Sequence, residues 1–269
     1  MRIIKCTAIS HVGNSRNNNE DNFFLPTTDG KHFSFNRGAE KIFASHGPLP
    51  NDFCCAVSDG MGGHAFGEVA SLKTVNYLSE IYNNLINNSD NKNTIVNYIT
   101  KLNNDFCNLA MQNQDYRTMG ATLCGVIVHN TTALCFNVGD SRLYTCTSGK
   151  LKQITKDHSE GQRLFDLQLL TADELKTFPN RKAIYKYIGQ KTNLIPDLFK
   201  IENIYDCSYL LLCTDGLTDV LSDVEIEEVL NTLDMNMDQK CEKMLQMALN
   251  RNLNIGDNIT IMLIGFKER

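Results

Sequence analysis

Residues 54–71 read CCAVSDGMGGHAFGEVAS and join two kinds of predicted secondary structure through an acidic, glycine-rich turn. The apolar run FCCAVS at 53–58 has the length and composition of a buried strand. From Gly67 onward, apolar residues recur at spacings of three and four, which predicts a helix. Between the two, Asp59 and Gly60 interrupt the apolar pattern. The stretch therefore predicts a strand packed in a sheet, with an acid at its end and a helix after it.

The composition favours a globular protein that binds neither nucleic acid nor membranes. The chain has 269 residues, 42% of them apolar, with a net charge of -5 and a pI near 5.7. This acidic balance gives no reason to expect binding to nucleic acid or to an anionic membrane surface. The apolar runs fall well short of the roughly 20 residues of a membrane-spanning helix. Because the N-terminus also lacks the pattern of a secretory signal, we expect a cytoplasmic protein.

The ten cysteines are predicted to be reduced thiols. They are scattered, form no C-x-x-C pair and lie mostly inside apolar runs, where cysteine behaves as a small hydrophobic residue. Disulfides and cysteine-bound zinc are therefore not expected.

Strand-like and helix-like blocks alternate along the chain in an order typical of antiparallel sheets with helices on their outer faces. Strands are predicted at 3–10, 22–26, 53–58, 121–130, 132–140, 142–155, 209–216 and 258–266, and helices at 67–85, 95–109, 223–233 and 239–252. The whole chain, 1–269, is expected to form one domain. Residues 30–52 are polar and contain Gly and Pro, which predicts an inserted loop or hairpin.

Several acids stand beside a glycine at the end of an apolar strand. They are Asp59, Asp140, Asp215 and Asp257, and the acidic pair Glu20 and Asp21 precedes them. Any one Asp-Gly pair also fits an ordinary turn. Gathered at one place, however, like charges cost several kcal/mol unless a positive charge neutralises them, and a divalent cation does so. Oxygen ligands favour Mg or Mn, whereas the missing His/Cys spacing disfavours zinc and the missing EF-hand pattern disfavours a calcium loop.

Seven motifs occur in order along the chain: RNNNED (16–21), SDGMGGHAFGEVAS (58–71), TMGATL (118–123), VGDSRLY (138–144), TKDH (155–158), CTDGLTDVLS (213–222) and GDNITIMLI (256–264). This set resembles the metal-dependent Ser/Thr protein phosphatases of type 2C, and in particular their compact bacterial members. The resemblance extends from about residue 6 to residue 266. It implies an α+β fold, a four-layer α-β-β-α sandwich with two antiparallel β-sheets flanked by helix pairs.

The resemblance also implies a metal site with two tightly bound Mn(II) or Mg(II) ions and a third, weaker one. By position, Asp59 corresponds to the bridging aspartate and Gly60 to a backbone-carbonyl ligand. Asp215 and Asp257 would complete the first ion. The second ion would take its remaining side-chain contact from Glu20 or Asp21, and the third would be held by Asp140 and Asp215, with Asp219 nearby.

The implied reaction is hydrolysis of phosphoserine and phosphothreonine by direct attack of a hydroxide that bridges the two metals. Arg16 corresponds to the family's phosphate-binding arginine, whose paired donors suit phosphate oxygens. A histidine is suited to protonate the leaving alkoxide. Many eukaryotic members carry that histidine directly after Asp-Gly, where this chain has Met61, and His64 is the bacterial-type counterpart.

Residues 156–190 resemble the family's flap, a variable element beside the active site, and Arg181, Lys182 and Lys186 could present positive charge to phosphopeptides. The expected partners are phosphorylated proteins, targets of a Ser/Thr kinase, and the chain is expected to be a monomer. Two alternatives stay open. One is a pseudophosphatase that serves as a binding module, against which the retained acids argue, and the other is a specialised phosphatase for a single stress-response regulator protein.

Overall fold

A computed structural model describes residues 2–26, 32–33, 40–62, 66–87, 90–251 and 256–268 of the chain. Within these ranges the strands are, in chain order, β1 (Arg2–His11), β2 (Asn22–Pro26), β3 (His32–Phe33), β4 (Lys41–His46), β5 (Phe53–Ser58), β6 (Gly60–Met61), β7 (Gly120–Ala121), β8 (Leu123–His129), β9 (Thr132–Val138), β10 (Arg142–Thr147), β11 (Lys150–Gln153), β12 (Asp197–Ile201), β13 (Cys207–Cys213) and β14 (Ile259–Glu268). The helices are α1 (Gly67–Asn87), α2 (Asn91–Gln112), α3 (Glu160–Asp166), α4 (Ala172–Thr177), α5 (Asp215–Thr218), α6 (Asp223–Asn231) and α7 (Met237–Arg251).

Two antiparallel sheets of six strands form the centre of the fold. The first has the order β11-β10-β13-β14-β1-β4, and the second has the order β12-β9-β8-β5-β2-β3. A separate short ladder pairs β6 with β7, directly after β5 and before β8. All of the pairings within the two large sheets are antiparallel.

The central strands are apolar on both faces, since one face packs against the other sheet and the other face packs against helices. Along β14, Met262 and Ile264 pack between the two sheets. Their neighbours Ile261 and Leu263 pack on the other face, against the helices. This alternation follows from the period of two residues in a strand, and it explains why the sequence reads as a continuous apolar run.

Helices cover the outer face of each sheet. Apolar residues of α1 and α2, such as Val75 and Ile99, pack against the second sheet in one cluster. The Tyr98 hydroxyl links the two helices by donating to the Thr74 carbonyl, 2.7 Å away. Residues of α5, α6 and α7, such as Met244, pack against the first sheet. The layers are therefore helix, sheet, sheet and helix, which confirms the predicted fold class.

The strands that the sequence pattern did not predict include β4 and β12. Residues 41–46, within the segment expected to be a loop or hairpin, form the edge strand β4, which pairs with β1. The strand β12 pairs with β9 at the opposite edge of the second sheet. Residues 34–39 lie outside the described residues.

The state of the cysteines and the character of the helices agree with what the sequence predicted. All ten cysteines are free thiols, and nine of them are buried. Among the described helices, none has both the length and the apolar character needed to cross a membrane.

Candidate metal centre

Four strand ends carry the predicted acids to one end of the two sheets. Asp59 follows β5 and Asp140 lies two residues beyond β9 in the second sheet, while Asp215 lies two residues beyond β13 and Asp257 two residues before β14 in the first. The register places the end of β13 opposite the beginning of β14, because Cys213 pairs with Ile261. We call the group Glu20, Asp21, Asp59, Asp140, Asp215 and Asp257 the acidic cleft.

Thr122 fixes the direction in which Asp59 leaves its strand. The Asp59 backbone N–H donates to the Thr122 hydroxyl at 2.9 Å, and the Thr122 N–H donates to the Asp59 carbonyl at 2.8 Å. The pKa of Asp59 is raised well above its ordinary value, first by desolvation and then by the charges of Asp21 and Asp215. Asp59 therefore lies within a group of carboxylates that disfavour one another's ionisation.

Gly60 permits a close contact between the end of β5 and the beginning of α1. Its N–H donates to the Glu20 carbonyl at 3.1 Å. A Cβ atom at Gly60 would overlap the carbonyl oxygen of Gly67, the first residue of α1. The glycine is thus required for the approach of the two backbones.

Asp21 is completely buried and is held by two threonine hydroxyls. Its Oδ2 atom accepts from Thr214 at 2.7 Å and from Thr260 at 2.8 Å. Its Oδ1 atom is buried without a hydrogen-bond partner among the described residues. The pKa of Asp21 is raised to about 8, mainly by burial and also by the charges of Asp215 and Asp257. The two hydroxyls act in the opposite direction.

Asp215 and Asp140 each have one buried carboxylate oxygen that, among the described residues, accepts no hydrogen bond. Burial raises the pKa of Asp215 to about 7, and the charges of Asp219 and Asp257 also raise it. The pKa of Asp140 is raised by burial and then by the charge of Asp215. The preceding Gly139 has a φ of 106°, which turns the chain sharply at the end of β9.

Arg16 contacts the acidic cleft at Asp257. Its Nη2 atom lies 2.8 Å from Oδ2 of Asp257, and about half of the Arg16 side chain is exposed. The hydrogen bond to Asp257 is the main cause of a raised pKa at Arg16. The pKa of Glu20 is raised by burial, while the charge of Arg16 acts in the opposite direction. A guanidinium therefore stands at the mouth of the cleft beside two of its acids.

Asn258 holds the loop that carries Arg16 and Glu20. Its side-chain oxygen accepts from the Glu20 N–H at 2.7 Å. Its side-chain nitrogen donates to the carbonyls of Val12 and Asn18 at 2.8 and 3.0 Å. The loop is thus attached to the residue that directly follows Asp257.

The chemistry of the cleft fits a divalent cation, although its side chains are not arranged as a finished cage. Within the described residues, no three acidic, histidine or cysteine side chains are placed as ligands of one ion. Asp257 contacts Arg16, and one oxygen of Asp21 contacts threonines. The buried oxygens without partners and the raised carboxylate pKa values nevertheless mark an excess of negative charge. Hard ions such as Mg or Mn prefer this all-oxygen donor set. Rotation of the carboxylates would direct their oxygens toward such an ion.

The structure brings together all but one of the site residues predicted from the sequence. Electrostatic interactions or hydrogen bonds connect Arg16, Glu20, Asp21, Asp59, Asp140, Asp215 and Asp257, with Gly60 beside them. His64 lies outside the described residues. The sequence prediction missed Thr122, Thr214, Thr260 and Asn258, which orient the acids. The sequence offered one indication of these residues, which is that Thr214 and Asn258 each adjoin a predicted acid.

The segment 156–190, which we call the flap, is attached to the cleft at two places. His158 is buried, and its Nδ1 atom accepts from the N–H of Gly139 at 2.9 Å. Further along, Lys182 forms an ion pair with Asp219, which directly follows α5. Between the flap and the acidic cleft is a cavity of about 260 Å³, lined by residues of both.

Comparisons with known proteins agree with this arrangement. Residues 43–254 match the family described as protein phosphatase 2C. The protein phosphatase PhpP of Streptococcus pneumoniae is 28% identical over 268 residues, which covers 98% of each chain. The crystal structure of serine/threonine phosphatase Stp1 from Staphylococcus aureus is 29% identical, with a TM-score of 0.81, and covers 98% of this chain and 95% of Stp1. The catalytic domain of PstP, solved in complex with 2 manganese ions, is 24% identical over 100% of both chains, with a TM-score of 0.77, and shows a likeness of fold alone.

Proposed function

The chain belongs to the protein phosphatase 2C family and is a protein serine/threonine phosphatase, and we propose that the acidic cleft is where it hydrolyses phosphoserine and phosphothreonine. The observation that carries this proposal is the set of buried carboxylate oxygens at Asp21, Asp140 and Asp215 that have no hydrogen-bond partner among the described residues. Together with the raised pKa values, they support a site that is completed by divalent cations. The retained acids give no support to a pseudophosphatase.

We assign the ligand roles by position in the cleft. Asp59 would be a ligand of both ions and the Gly60 carbonyl a further ligand, while Asp215 and Asp257 would complete the first ion. Glu20 or Asp21 would supply the remaining side-chain contact to the second ion. Two ions held in this way supply charge neutralisation and the activation of water for direct attack on phosphorus.

Arg16 binds the phosphate group of the substrate. Its guanidinium uses one nitrogen for Asp257, and half of the side chain remains exposed at the mouth of the cleft. The other donors can therefore pair with two phosphate oxygens at once, which fixes the phosphate in orientation. A lysine would offer a single point charge at this place.

His64 protonates the leaving alkoxide. This role rests on its sequence position, five residues beyond Asp59 and just before α1. An imidazole with a pKa near neutrality can give up a proton at physiological pH and regain it from solvent.

The identity of the ions, the substrates, the location and the oligomeric state are proposed from the sequence and its resemblance to the family. The two ions are Mn(II) or Mg(II), and a third, weaker ion lies at Asp140 and Asp215. The substrates are phosphorylated proteins, targets of a Ser/Thr kinase, and the enzyme works as a cytoplasmic monomer. One core between the two sheets contains residues from β1 to β14, which supports a single catalytic domain over 1–269 with residues 156–190 as its flap.

The test is hydrolysis of a phosphothreonine peptide by the purified protein. Phosphate should be released with Mn(II) present and not in excess chelator, and Asp59→Asn should abolish release. The matched control is Asp52→Asn, since Asp52 directly precedes β5 and Asp59 directly follows it. Asp52 contacts His129 at 3.2 Å, away from the cleft, so this variant should keep full activity. Phosphate release that persists in chelator would contradict the proposal.

A further inference from the structure

The cavity between the flap and the acidic cleft combines opposite charges. One side contains the acids Asp140, Asp215 and Asp219, and the flap contributes Lys176 and Lys182. Asp140 is only 7% exposed, and its Oδ1 atom, among the described residues, has no hydrogen-bond partner. This end of the cavity therefore contains a buried carboxyl oxygen that no described protein group satisfies.

Lys182 is the flap cation that reaches these acids. Its ammonium group pairs with the Asp219 carboxylate. Asp219 belongs to the same turn as Asp215, because the Asp219 N–H donates to the Asp215 carbonyl at 2.8 Å. The positive charge of Lys182 favours ionised Asp215, whereas Asp219 and Asp257 disfavour it. Lys182 thus acts from the flap on Asp219, beside the cleft, and on Asp215 within it.

Two of the other cationic side chains of the cavity, Arg142 and Lys176, have different partners. Arg142 holds both oxygens of Asp157, with contacts between 2.6 and 3.1 Å. Lys176 pairs with Asp173 on its own helix at 2.9 Å. Of these three cations, Lys182 is the one that is ion-paired to Asp219, in the turn that carries Asp215.

We propose that Lys182 is a tethered cation that holds the flap against the Asp140, Asp215 and Asp219 end of the cavity and competes there with a weakly bound divalent ion. The inference rests on the proposed function, since it assumes that divalent ions enter the cleft. An ammonium paired with Asp219 and a divalent ion at the same carboxylates would repel each other. Binding of the weak ion must therefore release Lys182, and with it the part of the flap around residues 181–184.

The size of the competition follows from simple electrostatics. Removing one positive charge that lies roughly 6 Å from a divalent ion strengthens binding of that ion about tenfold in a water-like dielectric. Salt screens this effect, so the change should shrink as ionic strength rises. Tightly bound ions closer to Asp59 should be affected less.

The experiment is a titration of the metal-free protein with Mn(II) at low salt, in which free Mn(II) is followed by electron paramagnetic resonance. Lys182→Met should strengthen the weakest Mn(II) site about tenfold. Lys182→Arg should bind as the wild type does, because the charge is kept. Lys176→Met is the matched control: it removes a lysine from the same cavity that pairs with Asp173, and it should leave the weakest site within about twofold of wild type.

A second readout tests the release of the flap. Amide hydrogen exchange of residues 181–184 should rise in wild type when the weakest site fills, and it should already be high in metal-free Lys182→Met. An unchanged weakest site in Lys182→Met, with the tighter sites intact, would overturn the competition and leave the proposed function standing. If wild type bound no Mn(II), both the proposed function and this inference would fall.

Discussion

The metal-free protein should become less stable as the pH rises from about 6.5 to about 8, which is unusual for carboxyl groups. The cause is the acidic cleft, where the pKa of Asp21 is raised to about 8 and that of Asp215 to about 7. A carboxyl group whose pKa is higher in the folded than in the unfolded chain keeps its proton on folding. The folded state then binds more protons than the unfolded state, so the free energy of unfolding falls as the pH rises between the two values.

The magnitude can be worked out from these two groups. Over this range a folded pKa near 8 lowers the free energy of unfolding by about 2 kcal/mol, and one near 7 lowers it by about 1 kcal/mol. The raised pKa values of Asp59 and Asp140 act in the same direction. Buried histidines with lowered pKa values, such as His158, act oppositely, but mainly below about pH 6.5. A loss of at least about 2 kcal/mol is large against a typical stability of 5–15 kcal/mol.

The assay is urea unfolding at several pH values, in chelator and in saturating Mn(II). In chelator, stability should fall with rising pH. In Mn(II) it should not fall, because the ions stabilise the ionised carboxylates of the folded state. Asp21→Asn should make the fall in chelator smaller, since it eliminates one of the contributing carboxyl groups. A metal-free protein that gains stability between about pH 6.5 and 8, or an Asp21→Asn variant with an unchanged slope, would refute the reasoning.

Two substitutions test the assigned catalytic roles. Arg16→Ala should raise KM for a phosphothreonine peptide by a factor that corresponds to about 1–3 kcal/mol while Mn(II) affinity is largely kept, and an unchanged KM would remove Arg16 from phosphate binding. His64→Ala should lower turnover of that peptide by roughly 10²–10⁴-fold and affect p-nitrophenyl phosphate much less, since nitrophenolate leaves without a proton. Equal losses on both substrates in metal-saturated enzyme would argue against His64 as the acid.

Much of the fold could be predicted because its central elements carry strong periodic patterns. The strand at 53–58 and the helix that begins at Gly67 appear where the apolar spacing places them. The hairpin between β10 and β11 turns at Ser148 and Gly149, both with positive φ, as its Ser-Gly signal indicates. The strand β4 was missed because it is a mostly exposed edge strand that is stabilised by its pairing with β1, and such an element has little apolar pattern of its own.

The acids of the site could be predicted from their places beside strand ends, but the groups that orient them could not. Thr214 and Thr260 meet Asp21 across 193 and 239 residues of sequence separation. Lys182 meets Asp219 only because the flap folds over the cavity. Threonine and lysine are common at the ends of strands and in loops, and the hydrogen bonds that they form depend on packing between distant segments, which no local pattern records.

The most direct test of the metal-centred account is the anomalous diffraction of crystals grown with Mn(II). Two peaks should appear in the acidic cleft, roughly 3.5–4 Å apart, with the Asp59 carboxylate between them. Asp215 and Asp257 should contact the first ion. Peaks confined to other parts of the protein, or no peak within ligand distance of Asp59, would contradict the account.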